Sequence, residues 1–192
     1  MNDVTTIWQK LEGWIQANAP ELHETLQAGA SDKKIAKLEQ RLGVTLPEDY
    51  KTFLKLCNGQ SEESEAGFYD GELLSAKSVK TQWGVWKELL DDNDFEGIES
   101  EPDKGVRDDW WNPRWIPFTH DGGGNHLCLD LEPAEGGTVG QVITMWHDSA
   151  ERELMFPSFT AWLENVLNGV ETGQIVFDRE NYNALVDIED LT

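Results

Sequence analysis

Positive charge is what this chain has least of: 15 Lys and Arg stand against 37 Asp and Glu, a formal net charge of −22 with a pI near 4.3. Nucleic-acid binding relies on clustered cations that neutralise phosphates, so that class of partner is excluded. A basic protein is the natural complement, and the plainer alternative is that the charge serves only solubility. Cysteine is scarce too. Cys57 and Cys128 lie in apolar patterns with no CxxC and no second pair, which excludes a disulfide framework or a zinc site and predicts two buried, reduced thiols. Long apolar runs are missing: no segment approaches the roughly 18 residues of a membrane span, and MNDVTTIWQK has no basic stretch followed by an apolar one. The reading is a cytoplasmic protein that does not engage membranes.

What is present is material for a core. Nine Trp, seven Phe and three Tyr in 192 residues, at 39% hydrophobic, describe a folded globular chain rather than a disordered one. Val4, Ile7, Trp8, Leu11 and Trp14 or Ile15 recur at three and four residues and predict a helix over 3–18. Pro20 opens a short helical piece through Gln27. Ser31 caps a helix with Ile35, Leu38 and Leu42 on one face and Gly43 at its end. Pro47 begins the next, with Tyr50, Phe53, Leu54 and Cys57 inward and Gly59 closing it. Asp70-Gly71 reads as a tight hairpin turn, and a helix carrying Val79, Trp83, Trp86, Leu89 and Leu90 follows.

Residues 91–109 are too acidic and too broken by Gly and Pro for a core element, and predict a long surface loop. Beyond it the period drops to two, with strand-like stretches at 115–119, 125–131, 138–146 and 152–156. A last helix starts at Ser158 and ends at Gly169. The sum is a single α+β domain over 1–172, with an acidic C-terminal extension over 173–192.

Asp121-Gly122-Gly123-Gly124 lacks the Lys-Ser/Thr of a P-loop and joins two strands, so it is a hairpin turn with several residues, Gly123 among them, at positive φ. His120, His126 and His147, with Asp121 and Asp148, match no metal signature and read as locally bonded sheet residues. Cys128 and His126 share a strand face but have no orienting third group, and paired carboxylates mean nothing where acids are so many. No enzyme signature survives, and no cofactor or metal is expected. In "DWWNPRWIPF", Trp115 is assigned inward and Trp110 or Trp111 outward, as a desolvated anchor beside the exposed acids Asp91, Asp92, Asp94 and Glu96.

"LGVTLPEDYKTFLKLCNGQ", "WIPFTHDGGGNHLCLDL" and "SFTAWLENVL", in that order and spacing, resemble the SUKH superfamily in its Smi/Knr-type branch over residues 8–170. The resemblance implies a mostly antiparallel sheet flanked by helices and no established catalysis. In bacteria such proteins are commonly immunity proteins that neutralise polymorphic toxins, many of them nucleases; in fungi they look like regulators of cell-wall assembly. It also implies that Asp121, Asn125 and Asp130, which match the hairpin motif, lie near a cleft. The leading expectation is an immunity-type protein that occludes a basic toxin, with a regulatory interaction module as the alternative.

Overall fold

In a computed structural model, residues 3–61 and 64–191 are described. The first part is helical for local reasons. Asp3 accepts the Thr6 N–H at 2.8 Å and starts α1 (Val4–Asn18), where Ile15 is buried and Trp14 only half-buried. Pro20 opens α2 (Pro20–Thr25), but the helix does not reach Gln27, because Leu26–Ala28 forms β1. Ser31 caps α3 (Asp32–Leu42), which ends at Gly43 with φ 67°. The next helix, α4 (Glu48–Leu56), stops short of Gly59, and Cys57–Gln60 becomes β2, antiparallel to β1 with Leu26 facing Gln60. Pairing between segments so far apart leaves no trace in local periodicity, which is why both helices were expected to run on.

The elements that follow are β3 (Glu72–Leu73), α5 (Ala76–Asp91, capped by Ser75), β4 (Glu101–Pro102), β5 (Trp115–Pro117), β6 (Thr119–His120), β7 (His126–Asp130) and β8 (Gln141–Met145). Then come β9 (Glu151–Arg152), β10 (Leu154–Phe156), α6 (Phe159–Thr172), β11 (Ile175–Asp178) and β12 (Ala184–Asp187). The central sheet is antiparallel in the order β10-β8-β7-β5, and β3–β6, β4–β9 and β11–β12 form small ladders. This is the expected α+β fold, an antiparallel sheet flanked by helices. The turn before β3 is centred on Tyr69-Asp70, one residue earlier than expected, with Phe68 bridged to Gly71.

Every residue of β7 and β8 is buried, so both faces of that pair are covered and its polar positions must be satisfied from within. On one side α1, α4 and α6 bring Trp8, Tyr50, Phe53, Phe159 and Trp162 together with Phe118, with ring centroids as close as 4.9 Å. A second aromatic group joins α5 to the loop before β5: Trp111 stacks on Trp86 at 6.5 Å and meets Trp83 edge-on at 6.1 Å. Trp111 is 3% exposed. It belongs to the core, which corrects its assignment as an outward anchor; burial of so large a ring outweighs its place beside an acidic run.

The acidic run does lie at the surface, but its backbone is held. β4 pairs in parallel with β9, Ser100 Oγ donates to Asp108 at 2.9 Å, and Val106 is buried. Arg152 is fully buried and donates to the Trp110 carbonyl through Nε and Nη2, and to Ser149 and Glu151 carbonyls through Nη1, with its guanidinium 4.8 Å from the Trp110 ring centre. The stretch at 173–192, expected as an acidic extension, contains the β11–β12 hairpin folded onto the rest: Ile175, Phe177 and Leu185 are buried, Ala184 bridges Gly67, and Arg179 pairs with Glu21 at 2.7 Å. Alternating apolar residues drive that docking. Among the described residues no helix is long and apolar enough to cross a membrane.

Candidate functional site

Three segments meet around a cleft of about 840 Å³: the turn at 64–72, the β6–β7 hairpin, and the C-terminal hairpin with the turn after it. Among the described residues six carboxylates line it, Glu65, Asp70, Glu72, Asp121, Asp187 and Asp190, together with Phe68, Tyr69, Trp146 and Tyr182, and no Lys or Arg does. The cleft is therefore a concentration of negative charge with aromatic walls.

Its floor is organised from β2. The Gln60 side chain is fully buried; its Nε2 donates to the Ala66 carbonyl at 2.7 Å and its Oε1 accepts the Leu73 N–H at 2.9 Å, so one amide closes the 64–73 segment into shape. Gly59 makes this possible. It sits at φ +67°, and a Cβ there would lie 2.5 Å from the Leu74 carbonyl carbon and the Ser75 nitrogen.

The acids differ in their surroundings. Asp70 presents surface to the cleft, yet the protein packed about its carboxyl pushes its pKa up to about 6; Trp162 Nε1, 3.4 Å away, opposes this and the Asp187 charge adds to it. Tyr69 donates its hydroxyl to Asp187 at 2.8 Å, and its own pKa is raised, by burial first and by that bond second. For Asp121, burial works against the charge, but N–H donations from Asn125 and Gly123 and from the Asn125 amide prevail, and the pKa is lowered.

The hairpin turn is confirmed, with one change. Gly122 and Gly124 have φ of +84° and +109°, whereas Gly123 does not occupy the left-handed region, so the strain expected there falls on its two neighbours. Asn125 ties the turn to the far strand, its Oδ1 accepting the His147 N–H at 2.9 Å. His126 lies under the cleft, stacked on His120 at 5.0 Å. Its Nδ1–H donates to the Thr119 carbonyl at 2.7 Å and its Nε2 accepts from Trp86 Nε1 at 3.3 Å, which fixes a neutral ring; burial lowers its pKa to about 4. Both ring nitrogens are thus occupied, and Cys128 beside it is fully buried with its pKa raised by desolvation. Burial pushes the Cys57 thiol up to about 12. Neither thiol is poised as a nucleophile.

Of the residues selected from sequence, Asp121 and Asn125 line the cleft. Asp130 does not: it is fully buried, accepting from Glu132 N and Gln141 Nε2 at 3.0 Å each, and is corrected to a residue that fixes the end of the hairpin. Asp91, Asp92, Asp94 and Glu96 are exposed and are not brought to the cleft; Glu96 alone of the four lines a separate, smaller hollow with Phe95, Ile98 and half-buried Trp110. Tyr69, Asp187, Asp190 and Tyr182 were missed from sequence. The signal for the last three was the period-two stretch around Leu185.

A family model described as the SMI1 / KNR4 family (SUKH-1) matches residues 29–165. The chain belongs to that family. Among relatives, it is 24% identical to the glucan synthesis regulatory protein of Neurospora crassa over 92% of this chain and 40% of that one. It is 24% identical to the cell wall assembly regulator SMI1 of Saccharomyces cerevisiae (95% of this chain, 44% of that one). It is 26% identical to the cell wall biosynthesis/cell cycle regulator smi1 of Schizosaccharomyces pombe (93% and 38%). The chain spans about two-fifths of the length of these relatives. The family match stops at 165, so the C-terminal hairpin that walls the cleft lies outside it.

Proposed function

We propose that this chain is a non-catalytic protein-interaction module of the cell-wall-assembly-regulator type, which takes a lysine- or arginine-bearing segment of a partner protein into the acidic cleft. The observation that carries the reading is the cleft lining itself: among the described residues, six carboxylates and the rings of Phe68, Tyr69, Trp146 and Tyr182, with no Lys or Arg. Carboxylates at the walls attract a cationic side chain, and aromatic faces hold its stem and its charge. The same field repels phosphate backbones and anionic membrane surfaces. The names of the fungal relatives support regulation over immunity. No activated nucleophile, metal or cofactor enters this reading.

A fluorescent Arg/Lys-rich peptide, followed by anisotropy, tests the binding claim. The triple variant Asp70→Asn, Asp187→Asn, Asp190→Asn should weaken its affinity roughly tenfold at low salt; equal affinity overturns the cleft as the site. Grafting this chain in place of the matched segment of the yeast regulator tests the role, with growth under cell-wall stress expected to be kept.

A second reading, an immunity protein for a basic, nuclease-type toxin, draws on the exposed Asp91, Asp92, Asp94 and Glu96, the last of which lines a small hollow with Ile98 and Trp110. There the acids would steer the toxin and Trp110 would anchor it. Failure of the graft, together with tight binding to a toxin encoded beside this chain, favours that reading instead.

A further inference from the structure

We propose that the groove between α3 and α5 is a second docking site, for an acidic segment of a partner protein. This inference is independent of the cleft. The groove holds about 520 Å³ and is lined by Lys34, Lys37, Arg41, Lys77 and Lys80, with Leu38, Ala76 and Asn58. Five of the chain's 15 cations thus face one hollow, and among the described residues no carboxylate lines it.

The placement follows from helical geometry. Ile35, Leu38 and Leu42 turn α3 inward, and residues 34, 37 and 41, at i, i+3 and i+7, fall together on a neighbouring stripe. Lys77 and Lys80 stand one turn apart at the start of α5, which packs against α3. The positive end of the α5 dipole adds to the same field.

Outside the groove five cations are paired: Lys51 with Glu48, Lys55 with Asp32, Lys87 with Asp91, Arg107 with Glu132, Arg179 with Glu21. Among the described residues no carboxylate stands within ion-pair distance of Lys34, Lys37, Arg41 or Lys80. Like charges at helical neighbour positions repel. In a chain with 37 acids, four such cations on one hollow are a site waiting for an anion. Asn58 adds a second mark. It is 6% exposed, its Oδ1 accepts the Ala76 N–H at 3.0 Å, and its Nδ2 meets no acceptor among the described residues while the residue lines the groove.

Shape selects the occupant. Leu38, Ala76 and the aliphatic stems of the lysines make an apolar floor under a charged rim, which suits a peptide carrying both carboxylates and an apolar side chain. A long RNA or an anionic membrane would extend beyond the hollow and meet the rest of a surface with net charge −22, whereas a short acidic segment would not.

The test uses the full chain and a fluorescein-labelled peptide of Glu-Glu-Leu repeats. Saturable binding is expected, weakening as salt rises from roughly 50 to 300 mM and falling roughly tenfold in Lys34→Glu, Lys37→Glu, Lys80→Glu. Asp70→Asn should leave it unchanged. In the unaltered chain, the Asn58 side-chain amide signals should move on titration, a readout that does not depend on any variant folding. Unmoved Asn58 signals, equal affinity in a triple variant that melts normally, or tighter binding of a uridine homopolymer or phosphatidylserine vesicles than of the peptide would each overturn the proposal.

Discussion

The cleft gathers its carboxylates from loop and hairpin segments far apart in the chain, at 65–72, 121 and 187–190, whereas the groove takes its cations from two helix faces at 34–41 and 77–80. In the cleft two acids are tuned in opposite directions by their surroundings: Asp121 is cradled by N–H donors and lowered, and Asp70 is crowded and raised. In the groove the cations are set by periodicity, and Lys34, Lys37, Arg41 and Lys80 have no carboxylate within ion-pair distance among the described residues. Both nevertheless rest on β2, where Asn58 faces the groove and Gln60 shapes the cleft, with Gly59 between them. Loops make a site specific in geometry; helices make one specific in charge and spacing.

The largest effect should come from the residue the two sites share. Gly59→Val forces a branched side chain into the left-handed region and against backbone 2.5 Å away, and should cost at least about 4 kcal/mol in urea unfolding, with both peptides lost together. A variant that keeps one peptide and loses the other would separate the sites. Trp111→Ala should cost about 3–5 kcal/mol by emptying the space between Trp83 and Trp86. Trp110→Ala, which gives up its contact with Arg152, should cost nearer 1 kcal/mol. Equal melting temperatures for the pair would put Trp111 outside the core.

A middle-sized effect follows from pH. His126 has a folded pKa of about 4 against 6.5 when free, so the unfolded chain takes up its proton first, and stability falls as pH drops from about 6.5 through 4, by on the order of 3 kcal/mol. Asp70 runs the other way: raised from 3.8 to about 6, it costs stability as pH rises through that window. His126→Gln should flatten the acid-side decline and Asp70→Asn should steepen it, which urea unfolding at stepped pH will read. Curves parallel to the unaltered chain would contradict both assignments. Smallest of all, replacing Asp91, Asp92, Asp94 and Glu96 by Lys should change stability by less than about 0.5 kcal/mol, since all four are exposed and Asp91 pairs only with Lys87 at the surface. A larger loss would mean that the run supports the fold.

Helices were legible where their signals are local: the Ser31 and Ser158 caps, the Gly43 end, and the apolar stripe of α1 all lie within a few residues of what they govern. β1 and β2 were not, because Leu26 and Gln60 recognise each other only across two intervening helices. The C-terminal hairpin hid for a different reason: Ile175, Phe177 and Leu185 alternate correctly but are few among acids, and the acids dominated the reading. Asp121 and Asn125 were reached through the resemblance of their glycine turn to the family's hairpin motif. Asp70 was visible only as part of a turn. Trp111 and Asp130 show the converse limit, since residue types common at interfaces are also those that fill cores and cap strands once buried.

Arg152 brings an entropic consequence. A guanidinium with no carboxylate partner among the described residues, lowered by burial to a pKa of about 10 and still charged at neutral pH, gives its donors to backbone carbonyls at 110, 149 and 151. It acts as a rivet through the return leg of the acidic run. An unanchored loop surrenders its freedom on meeting a partner, roughly 0.5–1.5 kcal/mol for each side chain it immobilises. Here much of the backbone's share was surrendered at folding, so the ten carboxylates between residues 88 and 109 meet a partner as a relief map rather than a cloud.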